Sequence, residues 1–197
     1  MRTLLRLVRI VSMLVVITLV AGTLWATRFF TSVPQTFVGS GPSMEPTLLP
    51  GEYFTVRPLD DPPRRGMLVV FRFVHDDSLY RVLRRVAALP GDSIAMRAGQ
   101  AIVNGATMPW PFRILEPRAS RSELAIGGEL YNWGPVAVPD STVFLLSDTR
   151  DIVGWPDSRF IGPVPLPLIE GRAERYLWTR RAGRLFRRLD RGDIISP

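Results

Sequence analysis

The sequence predicts a mainly β fold, a compact barrel or folded-sheet domain, behind one N-terminal transmembrane helix and ahead of a short basic C-terminal helix. Three observations carry this expectation. An uncharged apolar run lies near the start of the chain, short β-branched and aromatic runs bounded by Pro, Gly and Asp fill its middle, and no long amphipathic helical period interrupts residues 40–170.

Between Ile10 and Thr27 the apolar run is broken only by Ser12, Thr18, Gly22 and Thr23, and it carries no charge. That length suits a single helical crossing of a bilayer core. Arg2, Arg6 and Arg9 precede it and only Arg28 follows closely, so the positive-inside rule puts the N-terminus in the cytoplasm and the body outside. Bulky Trp25, Phe29 and Phe30 stand where a cleaved secretory signal needs small residues, which favours a retained anchor. The expected division is an anchor over residues 1–30, one catalytic domain over 31–178 and a basic amphipathic tail over 179–197.

After the anchor, Thr31 to Gly41 reads as a short polar linker. Strands are expected at Tyr53 to Val56, Met67 to Phe73, Tyr80 to Ala88, Ala101 to Val103 and Thr142 to Leu146. Residues 110–135 hold Pro111, Pro117, Gly127, Gly128 and Gly134 without a clear period, and an irregular excursion is expected there. In the tail, Trp178, Ala182, Leu185, Phe186 and Leu189 fall at helical spacing among Arg180, Arg181, Arg184, Arg187, Arg188 and Arg191. This predicts a short basic helix, either lying on a membrane surface or solvated.

Composition excludes several functions. There is no Cys, so disulfides, thiolate metal sites and a cysteine nucleophile are ruled out, and the single His75 rules out a multi-histidine metal centre. No cofactor or metal is called for. The net charge of +7 is concentrated at the two ends around a nearly neutral body, which suits a lipid bilayer as partner rather than nucleic acid. All 25 basic residues are Arg; none is Lys.

The segment Gly41-Pro42-Ser43-Met44-Glu45-Pro46-Thr47-Leu48 holds a Ser between two prolines, just beyond the anchor and before a strand. Alone it is compatible with an ordinary Pro-flanked turn. Two more segments change its weight: Tyr80-Arg81-Val82-Leu83-Arg84-Arg85-Val86-Ala87-Ala88-Leu89-Pro90-Gly91-Asp92, and Ser147-Asp148-Thr149-Arg150-Asp151 followed by Asp157-Ser158-Arg159-Phe160-Ile161-Gly162. In this order and spacing, the three resemble the boxes of type I signal peptidases over nearly the whole exported domain.

The resemblance implies a β-rich peptidase beside the membrane that removes signal peptides from exported preproteins, with small residues one and three positions before the cleaved bond in shallow apolar pockets. The expected membrane is a bacterial plasma membrane, though an organelle inner membrane shares this topology. It implies that Ser43 is the nucleophile, that its own amide helps hold the oxyanion, and that Phe37, Met44 and Leu83 line the substrate pockets. Asp148, Arg150, Asp157, Ser158 and Arg159 become a polar network supporting the site. The general base of the family is a neutral Lys, and here that position is Arg84.

Arg is a permanent donor and a poor proton acceptor. The Ser that orients the family's Lys also lacks a clear counterpart, with Val153, Gly154, Trp155 and Pro156 filling that stretch. Three accounts are open: a peptidase in which Arg84 is an electrostatic partner of Ser43, a pseudoenzyme that binds signal-peptide-like segments without cutting them, and a membrane adaptor. His75, the one neutral-pH base in the sequence, is expected at a hairpin tip.

Overall fold

The computed structural model describes residues 2–32, 34–110, 131–150, 157–181, 183 and 185–189. The chain forms two compact units, 1–34 and 35–197. The expected excursion falls largely within residues 111–130, outside the described residues.

The first unit is one helix, α1 (Arg2–Ser32), longer than the sequence-based anchor. Its span Arg9–Thr27 covers 19 residues with a mean hydropathy of 2.1, long and apolar enough to cross a membrane. The hydroxyls inside it bond backward, Thr18 to the Leu14 carbonyl and Thr27 to that of Thr23, so they leave no unsatisfied donor in hydrocarbon.

The second unit is built from β1 (Gln35–Val38), β2 (Tyr53–Arg57), β3 (Leu68–His75), β4 (Ser78–Ala88), β5 (Ser93–Arg97), β6 (Gln100–Val103), β7 (Ala106–Thr107), β8 (Trp133–Ala137), β9 (Thr142–Leu146), one turn of helix α2 (Ser158–Ile161), β10 (Val164–Pro165) and β11 (Ile169–Trp178). A seven-stranded sheet runs β1-β2-β11-β3-β4-β9-β10, and a four-stranded sheet runs β7-β6-β5-β8. Mainly β, with one long N-terminal helix, is therefore the observed class.

The run Leu68-Val69-Val70-Phe71 explains why β3 sits inside the sheet. Leu68 and Val70 pack with Met44, Leu48, Phe54 and Leu83, while Val69 and Phe71 pack with Val86, Val143 and Leu145. Both faces are covered, so the strand reads as a continuous apolar run rather than an alternating one, and each such side chain contributes roughly 1.5–3 kcal/mol of burial. β11 is wedged between β2 and β3. Its Gly171 is required by close approach, because a Cβ there would collide with the Arg57 carbonyl.

Two expectations are corrected. The stretch 31–41 is not all linker: Gln35–Val38 forms β1, in register with Tyr53–Val56. The tail is not a helix over its described residues. Gly183 and Phe186 take positive φ values of 81° and 58°, which break a right-handed helix, and the chain folds back along β11. The Leu189 amide donates to the Glu174 carbonyl at 3.0 Å and the Tyr176 amide to the Arg187 carbonyl at 3.0 Å. Ala182, Arg184 and Arg191 lie outside the described residues.

Candidate active site

Ser43 is the central residue of a short 3-10 turn, Pro42–Met44, whose first position is Pro42. The Pro ring presets φ for that turn. The turn is tied from across the domain: the Thr149 amide donates to the Ser43 carbonyl at 3.1 Å, and the Thr149 hydroxyl reaches the Pro42 and Glu45 carbonyls at 2.9 and 3.0 Å.

Facing it is Arg84 on β4, only 2% exposed. Its Nη1 donates to Ser43 Oγ at 3.1 Å and to the Leu83 carbonyl at 2.6 Å. Burial pushes the Arg84 pKa below its ordinary value; Asp157 and Asp148 oppose that shift, while the nearby charge of Arg159 adds to it. The two groups line a cleft of about 140 Å³ whose apolar residues include Phe37, Met44, Leu48, Phe54 and Leu83. Phe37 stacks on Phe54 with ring centroids 5.9 Å apart. Ser43, Arg84, Phe37, Met44 and Leu83, singled out by the sequence, thus share one cleft.

The remaining predicted residues form a buried polar layer that does not line it. Asp148 receives Nε and Nη2 of Arg85 at 2.7 and 2.6 Å, in the two-point geometry a guanidinium and carboxylate favour. Arg85 also reaches the Gly66 carbonyl at 2.8 Å and the Thr47 hydroxyl at 3.0 Å. Asp157 caps α2 through the Arg159 amide and accepts from the Arg159 side chain and from Ser147. Burial works to raise the Asp157 pKa, but the Arg159 charge and these hydrogen bonds hold it down at about 2. Arg150 donates to the Gly99 and Ser147 carbonyls, with its pKa lowered by burial to about 10, and its guanidinium lies 4.2 Å over the Trp110 ring. Ser158 Oγ accepts the Leu145 amide at 2.9 Å, joining α2 to β9.

Over residues 7–178 the chain matches the family model described as signal peptidase, peptidase S26. It belongs to the signal peptidase family. It is 31% identical over 153 residues to a signal peptidase I of Leptolyngbya laminosa, covering 73% of this chain and 68% of that protein. To a signal peptidase I of Bacillus caldolyticus it is 32% identical over 152 residues, covering 72% and 78%. A crystal structure of a signal peptidase I from Enterococcus faecalis V583 superposes with a TM-score of 0.40 and 23% identity, covering 57% of this chain and 97% of that one. The family is one of serine peptidases.

Within this signal peptidase fold, His75 is at a distance from Arg84. It pairs with Ser78 at the β3–β4 hairpin, whose turn residues Asp76 and Asp77 take positive φ of 47° and 58°. Arg84 lies six residues further along β4 than Ser78, roughly 20 Å at the usual strand rise. Sequence reasoning overlooked Arg85, Thr47, Ser147 and Thr149 as parts of the site. An Arg pair in an otherwise apolar strand was the available signal, because two adjacent buried guanidiniums must each find partners.

Proposed function

We propose that this signal peptidase family member is a membrane-bound serine endopeptidase that removes signal peptides from exported preproteins, with Ser43 as nucleophile. In this reading α1 anchors the chain in a bacterial plasma membrane, with the N-terminus cytoplasmic and the sheet domain outside. The observation that carries it is the 3.1 Å hydrogen bond between Arg84 and Ser43 Oγ in a cleft partly walled by apolar side chains.

Beside that cleft, among the described residues, β9 pairs with the far edge of β4 from Arg85 to Ala88, while Tyr80 to Arg84 line the cleft. An extended peptide laid along that edge gains main-chain hydrogen bonds, and its small side chains enter the pocket bounded by Phe37, Met44 and Leu83. Attack by Ser43 Oγ on the carbonyl requires its proton to leave. Arg84, already donating, does not accept it; hydroxide from solvent does, while the guanidinium stabilises the alkoxide and the oxyanion formed next. Water then returns a proton to the departing amine and hydrolyses the acyl-enzyme.

This chemistry fixes a pH dependence. With hydroxide as the base and Arg84 cationic throughout, cleavage of an Ala-x-Ala preprotein by the detergent-solubilised chain rises about tenfold per pH unit between about pH 6.5 and 9. A plateau below about pH 8 would mean a protein group accepts the proton and would overturn this mechanism. A second reading, binding without cleavage, is favoured by one specific fact: the Arg84 bonds described, to Ser43 and Leu83, are donations. Preprotein binding with no cleavage at any pH selects it.

A further inference from the structure

The matched family region ends at residue 178, yet the chain continues, and its next residues pack against the loop that carries Ser43. Glu52 is fully buried and stands where that loop enters β2. One of its carboxylate oxygens accepts the Leu49 amide at 2.9 Å; the other accepts the Thr179 hydroxyl and the Arg180 amide. Arg181 Nη1 donates to the Pro46 carbonyl at 2.8 Å, and the Tyr176 hydroxyl donates to the Thr47 carbonyl. Leu189, 1% exposed, joins the apolar cluster that contains Met44 and Leu48, two residues of the cleft wall.

We infer that Thr179, Arg180, Arg181 and Leu189 form a positioning element that holds the loop Glu45 to Glu52, and through it Ser43, in register with Arg84. The Ser43 turn is thereby gripped from two sides. Thr149 holds the carbonyls of Pro42, Ser43 and Glu45, and the tail together with Tyr176 holds those of Pro46 and Thr47. Without the tail, the loop keeps its own Leu48-to-Met44 and Glu52-to-Leu49 bonds of 2.8 and 3.1 Å and its ties to Thr149, Tyr176 and Arg85, but loses those from Thr179, Arg180 and Arg181 and the packing of Leu189. A nucleophile displaced by a fraction of an ångström from its partner loses turnover more than substrate affinity. The effect on turnover rests on the peptidase reading; the effect on the loop does not.

The test uses the full-length chain in detergent, comparing wild type with Arg181→Ala, Arg181→Lys and the isosteric Thr179→Val. Amide hydrogen exchange at Leu48 and Glu52 is expected to speed up about tenfold in Arg181→Ala and Thr179→Val, with Val86 in β4 unchanged as the control for folding. Turnover of an Ala-x-Ala preprotein falls about tenfold while KM stays within about twofold, and Arg181→Lys, which keeps a donor for Pro46, recovers most of both. Unchanged loop exchange in both variants overturns the inference, as does faster loop exchange with unaltered turnover. If the wild type cleaves nothing, the peptidase reading is what has failed, and loop exchange alone decides whether the tail holds the loop.

Discussion

Arg84→Lys is expected to raise turnover of an Ala-x-Ala preprotein at about pH 7.5 by about a hundredfold, the lower range of what a positioned general base supplies. The reason lies in the surroundings of position 84, where the native side chain is 2% exposed and its pKa is already pushed down by burial. For a guanidinium that push leaves the group cationic. For an ammonium in the same place, the same desolvation brings the neutral amine into reach near neutral pH. The shape of the pH profile changes with it: the steady climb of the wild type becomes a rise to a plateau. A folded Arg84→Lys protein no faster than wild type would show that the site lacks more than its base.

The second large effect is on stability. Asp157→Asn removes the charge facing Arg159, whose side chain is 2% exposed, and leaves that guanidinium buried without its counterion. Breaking such a pair costs about 3–5 kcal/mol, which for a domain of this size lowers Tm by roughly 10 °C. The same carboxylate sets an acid limit. Its folded pKa of about 2 lies below the ordinary 3.8, so its contribution is fully present above about pH 4 and disappears as pH falls towards 2. That contribution is worth about 2 kcal/mol. Melting curves at about pH 7 and about pH 3 check both points, since the Asn variant loses stability at neutral pH and responds less to acid. An unchanged Tm at neutral pH contradicts the structural role given to the pair.

The parts of the fold legible in the sequence are those whose apolar runs match their burial. β3, β4 and β9 were readable because Leu68 to Phe71, Val82 to Ala88 and Val143 to Leu146 are almost continuously apolar apart from the Arg pair, and turn residues bound them. β11 was not. Its charged residues face partners, Glu174 to Arg57 at 2.7 Å and Glu170 to Arg81 at 2.7 Å, while its buried positions include only small Gly171 and Ala173 beside Tyr176. Register shifts at Ala173/Arg175 and Tyr176/Trp178 break the alternation further. The tail misled for a related reason. Leu185, Phe186 and Leu189 fit a helical spacing, yet only Leu189 enters the core, and the other two are exposed at 52% and 58%.

The site divides the same way. Ser43 and Arg84 were found through ordered motifs, and the cleft residues came with them. The grip on the Ser43 turn was invisible because it joins distant positions: Thr149 reaches Pro42 across 107 residues and Arg181 reaches Pro46 across 135. No local pattern encodes such a contact, whereas each motif is local by construction.

That Ser43, in the cleft it shares with Arg84, acts as the nucleophile of a peptidase is tested most directly by incubating wild type and Ser43→Ala with an Ala-x-Ala preprotein at about pH 9. Mass analysis then covers both the products and the intact chain. The expected result is cleavage after the second Ala by wild type, with the acyl-enzyme carried on Ser43 after acid quench, and neither in Ser43→Ala. Equal cleavage by the two proteins, or an acyl group on another residue, would contradict it.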